Sequence, residues 1–404
     1  MHTVGGIGRQ IAYWRTRRGL TQAEFARLMG RSVRWVEDVE AGHRQADPRL
    51  SVLARAAVVL RIGIDRLLPP EPNREGGDHD PLAAVRVALR RADLAPTAGA
   101  PVEPPDPGVL RRELAYGWTA YAAADYLCLD RVVPPMLVGT GAATTAAPVG
   151  EGPADPLAPM VVRAGALTLA AAAAQVFGDA DLAWRAADRA VTAAGRSGDA
   201  VVLARAADRL TAAMVGHEGA GAAAEFALEV EADLAAALGP RGAAGRAALR
   251  TLRLGAALAT ARLGDRSGTR DLLDAAERID PGAIQVPLYR VTAHVLLGEY
   301  GRAVDGRLDP AALAVLPRGR QARHLIDLAR ALAALGRRGE AVTALLDAEA
   351  AAAQEIRCRP INRTFVQEIL RLDSSVDGDE ARLRALAARC AGKGAPRSER
   401  AWII

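Results

Sequence analysis

The side chains best suited to binding an anion are concentrated near the N terminus of this 404-residue chain. Residues 1–68 contain twelve arginines and six acidic residues, a net charge of +6, whereas the whole chain carries +5, so the remaining 336 residues sum to −1. Guanidinium groups bind phosphate and carboxylate oxygens in pairs. The charge pattern therefore indicates a polyanionic partner at this end, and it disfavours a membrane-surface or RNA-coating role for the rest of the chain.

No residues are spaced in a pattern typical of an enzyme. The sequence has no nucleophile elbow, no HExxH pair, no paired carboxylates on a recognisable catalytic loop and no Walker motif. The Gly-Thr-Gly at 139–141 is weak evidence for a phosphate-binding loop, because no Gly-Lys-Ser/Thr follows and no strand precedes it. We therefore expect a protein that binds without catalysing a reaction and that needs no cofactor.

The cysteines and the apolar stretches bear on where the protein works. Cys128, Cys358 and Cys390 are far apart and form no CxxC pair, which predicts free thiols and no metal site. The alanine-rich stretch 164–176 is too short and too close to charged residues to span a bilayer, and the N terminus lacks the pattern of a signal peptide. We expect a soluble, cytoplasmic protein.

The N-terminal arginines must be positioned by helices whose ends are marked in the sequence. Thr21 and Glu24 have the spacing of a capping box, which predicts a helix starting at Thr21. Gly30 is expected to end that helix after about two turns, and Ser32 can cap the next one. A short helix, a glycine turn and a second helix are the parts of a helix-turn-helix unit, whose second helix enters the major groove of DNA.

These features, with 11–15, 18–22, 36–42 and 50–67, resemble the five-helix domain of Cro/C1-type (XRE) phage-repressor-like regulators. The resemblance implies a structural ion pair between Arg15 and Glu40. It also implies that the family's DNA contacts are made here by Gln22, Ser32, Val33, Arg34, Glu37, His43, Arg44 and Gln45.

Two acidic residues depart from the family pattern. Glu37 and Asp38 stand where basic or small polar residues are more usual, and carboxylates near phosphates oppose counterion release. This predicts weaker or more selective DNA binding. Glu37 can accept a hydrogen bond from a cytosine amino group, whereas Asp38 is expected to face a neighbouring helix or a dimer partner.

Proline and glycine divide the chain into segments. Residues 69–78 and 96–108 are rich in both and predict linkers on either side of a short helix at 82–94, and 139–159 predicts a third loop. We therefore expect a DNA-binding domain at 1–68, a linker region at 69–108, a repeat domain at 109–391 and a tail at 392–404.

The repeat domain is predicted from regularly spaced turns. Half of all residues are apolar but only 4% are aromatic, which favours an all-α fold of closely packed small residues. Turns at Gly178, Gly219, Gly264, Gly298 and Gly336 lie 41, 45, 34 and 38 residues apart, which are helix-hairpin repeat lengths. We expect a first hairpin at 110–137 and a closing cap at 382–391. The Leu-Gly turns followed by a small alanine resemble tetratricopeptide repeats, which stack into an α-solenoid with a concave groove.

Together the two halves resemble actinomycete-type regulators and peptide-sensing regulators of Gram-positive bacteria. Asparagines that hold an extended peptide are typical of those sensors, but this chain has only Asn73 and Asn362. If the first helix of each hairpin lines the groove, an arginine-rich trough suited to an anionic ligand results; the alternative is that these are solvated faces. The trough residues would be Arg246, Arg250, Arg253, Tyr289, Arg290, His294, Arg320, Arg323, His324 and Asp327.

The sequence thus predicts a homodimeric, sequence-specific transcriptional regulator that binds a double-stranded operator, expected to be an inverted repeat. Its repeat domain would dimerise and sense a peptide, a small molecule or a protein. The alternative is an interaction scaffold with weak, non-specific DNA binding.

Overall fold

The computed structural model describes residues 6–41, 50–60, 67, 80–91, 106–146, 158–371 and 377–390. Within these ranges the backbone forms helices and turns without a strand, which confirms the predicted all-α fold. The helices there are α1 Gly6–Arg17, α2 Gln22–Met29, α3 Val33–Glu40, α4 Leu50–Leu60, α5 Ala83–Arg91, α6 Pro107–Ala122, α7 Leu129–Ala146, α8 Ala158–Phe177, α9 Ala180–Ser197, α10 Ala200–Met214, α11 Ala220–Leu238, α12 Gly242–Arg262, α13 Arg266–Ile279, α14 Gln285–Leu296, α15 Tyr300–Asp305, α16 Pro310–Ala314, α17 Arg318–Ala334, α18 Arg338–Arg357, α19 Pro360–Arg371 and α20 Asp377–Cys390.

The chain forms two compact units. Unit 1 contains Met1–His79 and Pro105–Tyr116, and unit 2 contains Asp80–Pro104 and Gly117–Ile404. The sequence placed 80–108 in the linker and 109–116 in the repeat domain, whereas 80–104 belong to unit 2 and 105–116 belong to unit 1. The predicted linker at 69–78 and the predicted tail lie outside the described residues.

Unit 1 packs α1 to α4 around one apolar core. Helices α1 and α3 approach so closely that a Cβ atom on Gly8 would lie 1.9 Å from the carbonyl oxygen of Val39, so only glycine fits there. The predicted fifth helix would fall on 61–68, of which the structure describes only the buried Leu67. The core residues are Ile7, Ile11, Phe25, Ala26, Met29, Val36, Val39, Leu53, Ala56, Ala57, Leu60 and Leu67.

Unit 2 contains a series of helical hairpins. Each of α8, α10, α12, α14 and α17 packs against the helix that follows it, and these first helices also contact one another in chain order, so they form one continuous layer. The glycines predicted as turns lie between these five helices and the helices that follow them. All have positive φ, between 73° and 104°, a conformation that other residues adopt only with strain. The turn residues are Gly178, Gly219, Gly264, Gly298 and Gly336.

The first and last parts of unit 2 meet. The backbone N–H of Leu127 donates to Oε1 of Gln354 at 2.9 Å, and the Gln354 side-chain amide donates to Oδ1 of Asp125 at 3.1 Å. Beside them the Tyr126 hydroxyl donates to the buried carboxylate of Glu355. The segment that follows α6 is therefore held against α18, near the end of unit 2.

Three predictions about individual segments can be compared with the structure. The predicted helix at 82–94 is present as α5, which packs on α7. The prediction of a loop beginning at residue 139 was wrong, because 139–146 continue α7; Thr140 is buried there and its hydroxyl donates to the Met136 carbonyl. The stretch 164–176 belongs to the longer α8, which by length and composition could cross a membrane, but 72% of its apolar window is buried, as in a core helix.

Candidate nucleic-acid interface

The predicted helix-turn-helix is present between α2 and α3. The Thr21 backbone N–H donates to the Glu24 carboxylate at 2.7 Å, and the Glu24 N–H donates to the Thr21 hydroxyl oxygen at 3.2 Å, so the capping box is complete. These hydrogen bonds also lower the pKa of Glu24. Gly30 ends α2 with φ of 65°, and the Ser32 hydroxyl accepts from the Trp35 N–H at 3.2 Å to start α3. Local sequence signals thus set both ends of the turn.

An ion pair holds the end of α3 against α1. Arg15 donates from Nε and Nη2 to the two carboxylate oxygens of Glu40 at 2.6 and 2.9 Å, and from Nη1 to the Leu20 carbonyl at 2.8 Å. The two side chains are 13% and 8% exposed. The expected pair is therefore present and nearly buried.

The same network includes a residue expected to contact DNA. Gln22 donates from Nε2 to Oε2 of Glu40 at 2.9 Å. The Gln22 amide keeps its other N–H and its carbonyl oxygen for further hydrogen bonds. In this structure Gln22 thus extends the Arg15–Glu40 pair toward the surface at the start of α2.

One face of α3 is exposed and carries the other expected contact residues. Val36 and Val39 are buried in the unit 1 core, whereas the outward-facing residues are Ser32, Val33, Arg34 and Glu37. The side chains of Arg34 and Glu37 make no hydrogen bond or ion pair with any residue that the structure describes. Asp38 is partly buried and does not belong to this face. The expected contacts His43, Arg44 and Gln45 lie outside the described residues.

The first turns of α6 pack against α1 in unit 1, a contact that the sequence did not indicate. Tyr116 packs its ring 4.9 Å from that of Tyr13, and Arg17 Nε lies 2.9 Å from the buried carboxylate of Glu113. Burial raises the pKa of Glu113, while Arg17 opposes the increase. Arg17 therefore forms an ion pair within unit 1. No local pattern marks these contacts, because they join residues about a hundred positions apart.

Comparison with known proteins agrees with this geometry. Residues 7–68 match a helix-turn-helix domain family. A 64-residue stretch is 41% identical to the uncharacterized HTH-type transcriptional regulator YazB of Bacillus subtilis (strain 168), covering 90% of that protein and 16% of this chain. The chain therefore belongs to the helix-turn-helix transcriptional regulators, and its N-terminal domain is a DNA-binding domain. Unit 2 lies outside these matches.

The residues expected to line a trough in unit 2 are divided between two environments. Several meet carboxylates: Arg253 Nε donates to Glu231 at 2.8 Å, Arg290 Nη1 donates to Asp274 at 3.0 Å, and Arg250 pairs with Asp280. His294 Nδ1 lies 2.8 Å from Glu299. Arg290 and His294 line a cavity of about 130 Å³, but each of them already contacts a carboxylate, Asp274 or Glu299. Arg246 is exposed.

The remaining residues of this set lie on α14 and α17. His324 is buried; its Nε2 accepts from the Leu308 N–H at 3.3 Å, and burial lowers its pKa to about 4. Asp327 accepts from the Thr292 hydroxyl at 2.7 Å. Tyr289, Arg320 and Arg323 lie near Arg209 of α10, which the sequence reasoning did not single out. The ten residues of this set therefore do not form one face, and only part of the set converges.

Proposed function

We propose that the protein is a sequence-specific regulator of the Cro/C1 (XRE) type that reads an operator with the exposed face of α3. The observation that carries this proposal is the pairing of Arg34 and Glu37, three residues apart, exposed and without partners among the described residues. Arginine donates in pairs to guanine, and glutamate accepts from the cytosine amino group. The two side chains can therefore read neighbouring G·C pairs on a helix whose opposite face is buried.

DNA binding by the full chain tests this reading. Arg34→Ala is expected to weaken binding to the cognate site by about 1–3 kcal/mol and to relax the preference at one base pair. Arg44→Ala, at an expected phosphate contact, should weaken all sequences about equally and flatten the salt dependence. Arg205→Ala, an exposed arginine of α10, serves as the matched control and should change nothing. Equal losses on cognate and random DNA for Arg34→Ala would contradict the proposed role.

We further propose that unit 2 is a tetratricopeptide-like domain that dimerises and senses a ligand. The hairpin order and the five positive-φ glycine turns support the tetratricopeptide comparison. A two-fold operator needs recognition helices about 34 Å apart, and a dimer interface in unit 2 would set that distance. The larger unit is the part of the chain with enough surface to hold two copies at a set spacing.

Footprinting and sedimentation test these proposals together. The full chain should sediment as a dimer and protect an inverted repeat in a DNA segment upstream of its own gene. Protection of one half-site by a monomer would contradict dimerisation, and an unselective shift of all DNA would favour the scaffold alternative. A soluble cytoplasmic location is part of the same proposal, since a regulator must reach DNA.

A further inference from the structure

Arginine and tyrosine side chains from distant parts of the sequence meet inside unit 2. Arg209 of α10 and Arg323 of α17 lie against the ring of Tyr121, with their Cζ atoms 6.0 and 5.6 Å from its centroid. The ring of Tyr126 is 5.5 Å from that of Tyr121 and has the Cζ atom of Arg359 5.8 Å away. Three guanidinium groups therefore surround one pair of aromatic rings. These five residues are called the Tyr121 cluster below.

The charges of the Tyr121 cluster are only partly balanced. Glu355 is fully buried and accepts from Arg323 Nε at 2.9 Å, from Arg359 and from the Tyr126 hydroxyl. Burial alone would raise the pKa of Glu355, but Arg359 and Arg323 hold it below its ordinary value. One carboxylate is thus shared by two arginines, and Arg209 adds a third positive charge.

Arg209 has no carboxylate of its own. Its Nη1 donates to Oε1 of Gln175 at 2.8 Å, while its Nε is buried without a hydrogen-bond partner. Among the residues that the structure describes, Arg209 forms no ion pair. Asp208 is the preceding residue, and it interacts with Arg209 and Arg320 only at longer range, without an ion pair. A partly buried guanidinium with an unused donor is unfavourable unless an acceptor occupies it.

The potential around Tyr121 is strongly positive. Burial alone would raise the pKa of this phenol, yet Arg323, Arg209 and Arg359 lower it to about 7. Its hydroxyl has no hydrogen-bond partner among the described residues. Tyr121 and Tyr126 are buried, and the cluster reaches solvent at Arg323, whose side chain is 38% exposed. The side of the cluster at Arg323 therefore offers an anion donors and excess positive charge.

We propose that the Tyr121 cluster binds a small anion that carries a carboxylate or a phosphate group. Such a group fits because guanidinium donors pair with two oxygens of one planar or tetrahedral anion. This proposal deepens the sensing role proposed above and rests on it only for any effect on DNA binding. The Tyr121 cluster replaces Arg250, Arg253 and Arg290 as the expected anion site, because those arginines already have carboxylate partners.

Calorimetry on the full chain without DNA tests the proposal, with inorganic phosphate and succinate as probes and sodium chloride of equal ionic strength as the reference. At least one probe should bind the wild type, and Arg209→Gln should weaken that binding about tenfold, as expected for loss of one charged hydrogen-bond donor. Glutamine is chosen because Arg209 forms no ion pair and glutamine can still donate to Gln175. Arg205→Gln, one helical turn away and exposed on α10, is the matched control and should bind as the wild type does.

Tyrosinate absorbance supplies a second readout that does not depend on changing Arg209. One transition near neutral pH should disappear in Tyr121→Phe, and the bound probe should move it to higher pH, since the anion offsets the charges of Arg209, Arg323 and Arg359. A response to phosphate alone or to succinate alone would support the proposal and identify the group.

If neither probe binds and neither moves the Tyr121 transition, the proposal is wrong. Equal binding by wild type and Arg209→Gln would also overturn it. Because no DNA is present, either failure leaves the proposed operator recognition untouched, and a failure of operator recognition leaves the anion measurement untouched.

Discussion

Glu40→Ala should destabilise unit 1 without removing a DNA contact. Removing one partner of a buried ion pair costs about 3–5 kcal/mol, because the other charge is left desolvated and unpaired. Arg15 and Glu40 are 13% and 8% exposed, and Arg15 keeps its hydrogen bond to the Leu20 carbonyl. We therefore expect the lower end of that range, about 3 kcal/mol, which corresponds to roughly a hundredfold in an opening equilibrium.

Hydrogen exchange of the full chain measures this effect separately for each unit. The slowest amides of α1, α2 and α3 should exchange roughly a hundredfold faster in Glu40→Ala, while those of α8 to α18 should be unchanged. Glu37→Ala is the matched control, since Glu37 lies one turn away on α3, exposed and without a described partner. It should leave exchange unchanged and alter only DNA binding.

Two results would refute this reasoning. Normal exchange combined with lost DNA binding in Glu40→Ala would mean that Glu40 acts on DNA and not on the fold. Equal destabilisation by Glu37→Ala would mean that the loss comes from the charge of α3 as a whole. By contrast, Arg15→Met combined with Glu40→Leu should recover much of the stability, because both buried charges are then absent.

Three further predictions concern stability. Burial lowers the pKa of His324 from 6.5 to about 4, so the free energy of unfolding of unit 2 should fall by up to about 3 kcal/mol as pH decreases from 6.5 to 4. His324→Gln should reduce this pH dependence in urea unfolding. An unchanged pH dependence in the variant would contradict the prediction. Gly336→Ala should destabilise unit 2 by about 1–2 kcal/mol because φ of Gly336 is 74°. Gly339→Ala, inside α18 with open space around it, should stabilise unit 2 by up to about 1 kcal/mol. In thermal unfolding, the first variant should lower the melting temperature and the second should raise it. Gly8→Ala should cost at least about 1–3 kcal/mol by overpacking α1 against α3, and normal exchange rates in both helices would refute it.

The sequence predicted best those features that depend on residues close together in the chain. The capping box of Thr21 and Glu24 joins residues three apart, and its energetics do not need the rest of the fold. The same holds for Gly30 and Gly336, where positive φ excludes most other residues. For these reasons the helix-turn-helix and the order of the hairpins could be predicted.

Features that depend on which faces meet could not be predicted in this way. Helical spacing places Arg250 and Arg253 three residues apart, but it does not tell which elements they contact: Glu231 lies on α11, and Asp280 follows the last residue of α13. The packing of Tyr116 on unit 1 is equally remote from any local pattern. At 139–146, burial of the chain in α7 outweighs the preference of glycine for loops.

The arginines in this chain differ in whether they indicate a binding site. A guanidinium indicates one where the fold supplies no anion and water cannot solvate it freely. Arg205 is exposed, so solvation satisfies it and no partner is required. Arg253 is satisfied by Glu231. Arg209 is neither solvated freely nor paired, and its unused Nε lies in a positive environment, which is why a small anion is expected there. Arg34 is exposed as Arg205 is, but it lies on the helix that a helix-turn-helix domain presents to DNA, so its partner is expected to be the nucleic acid.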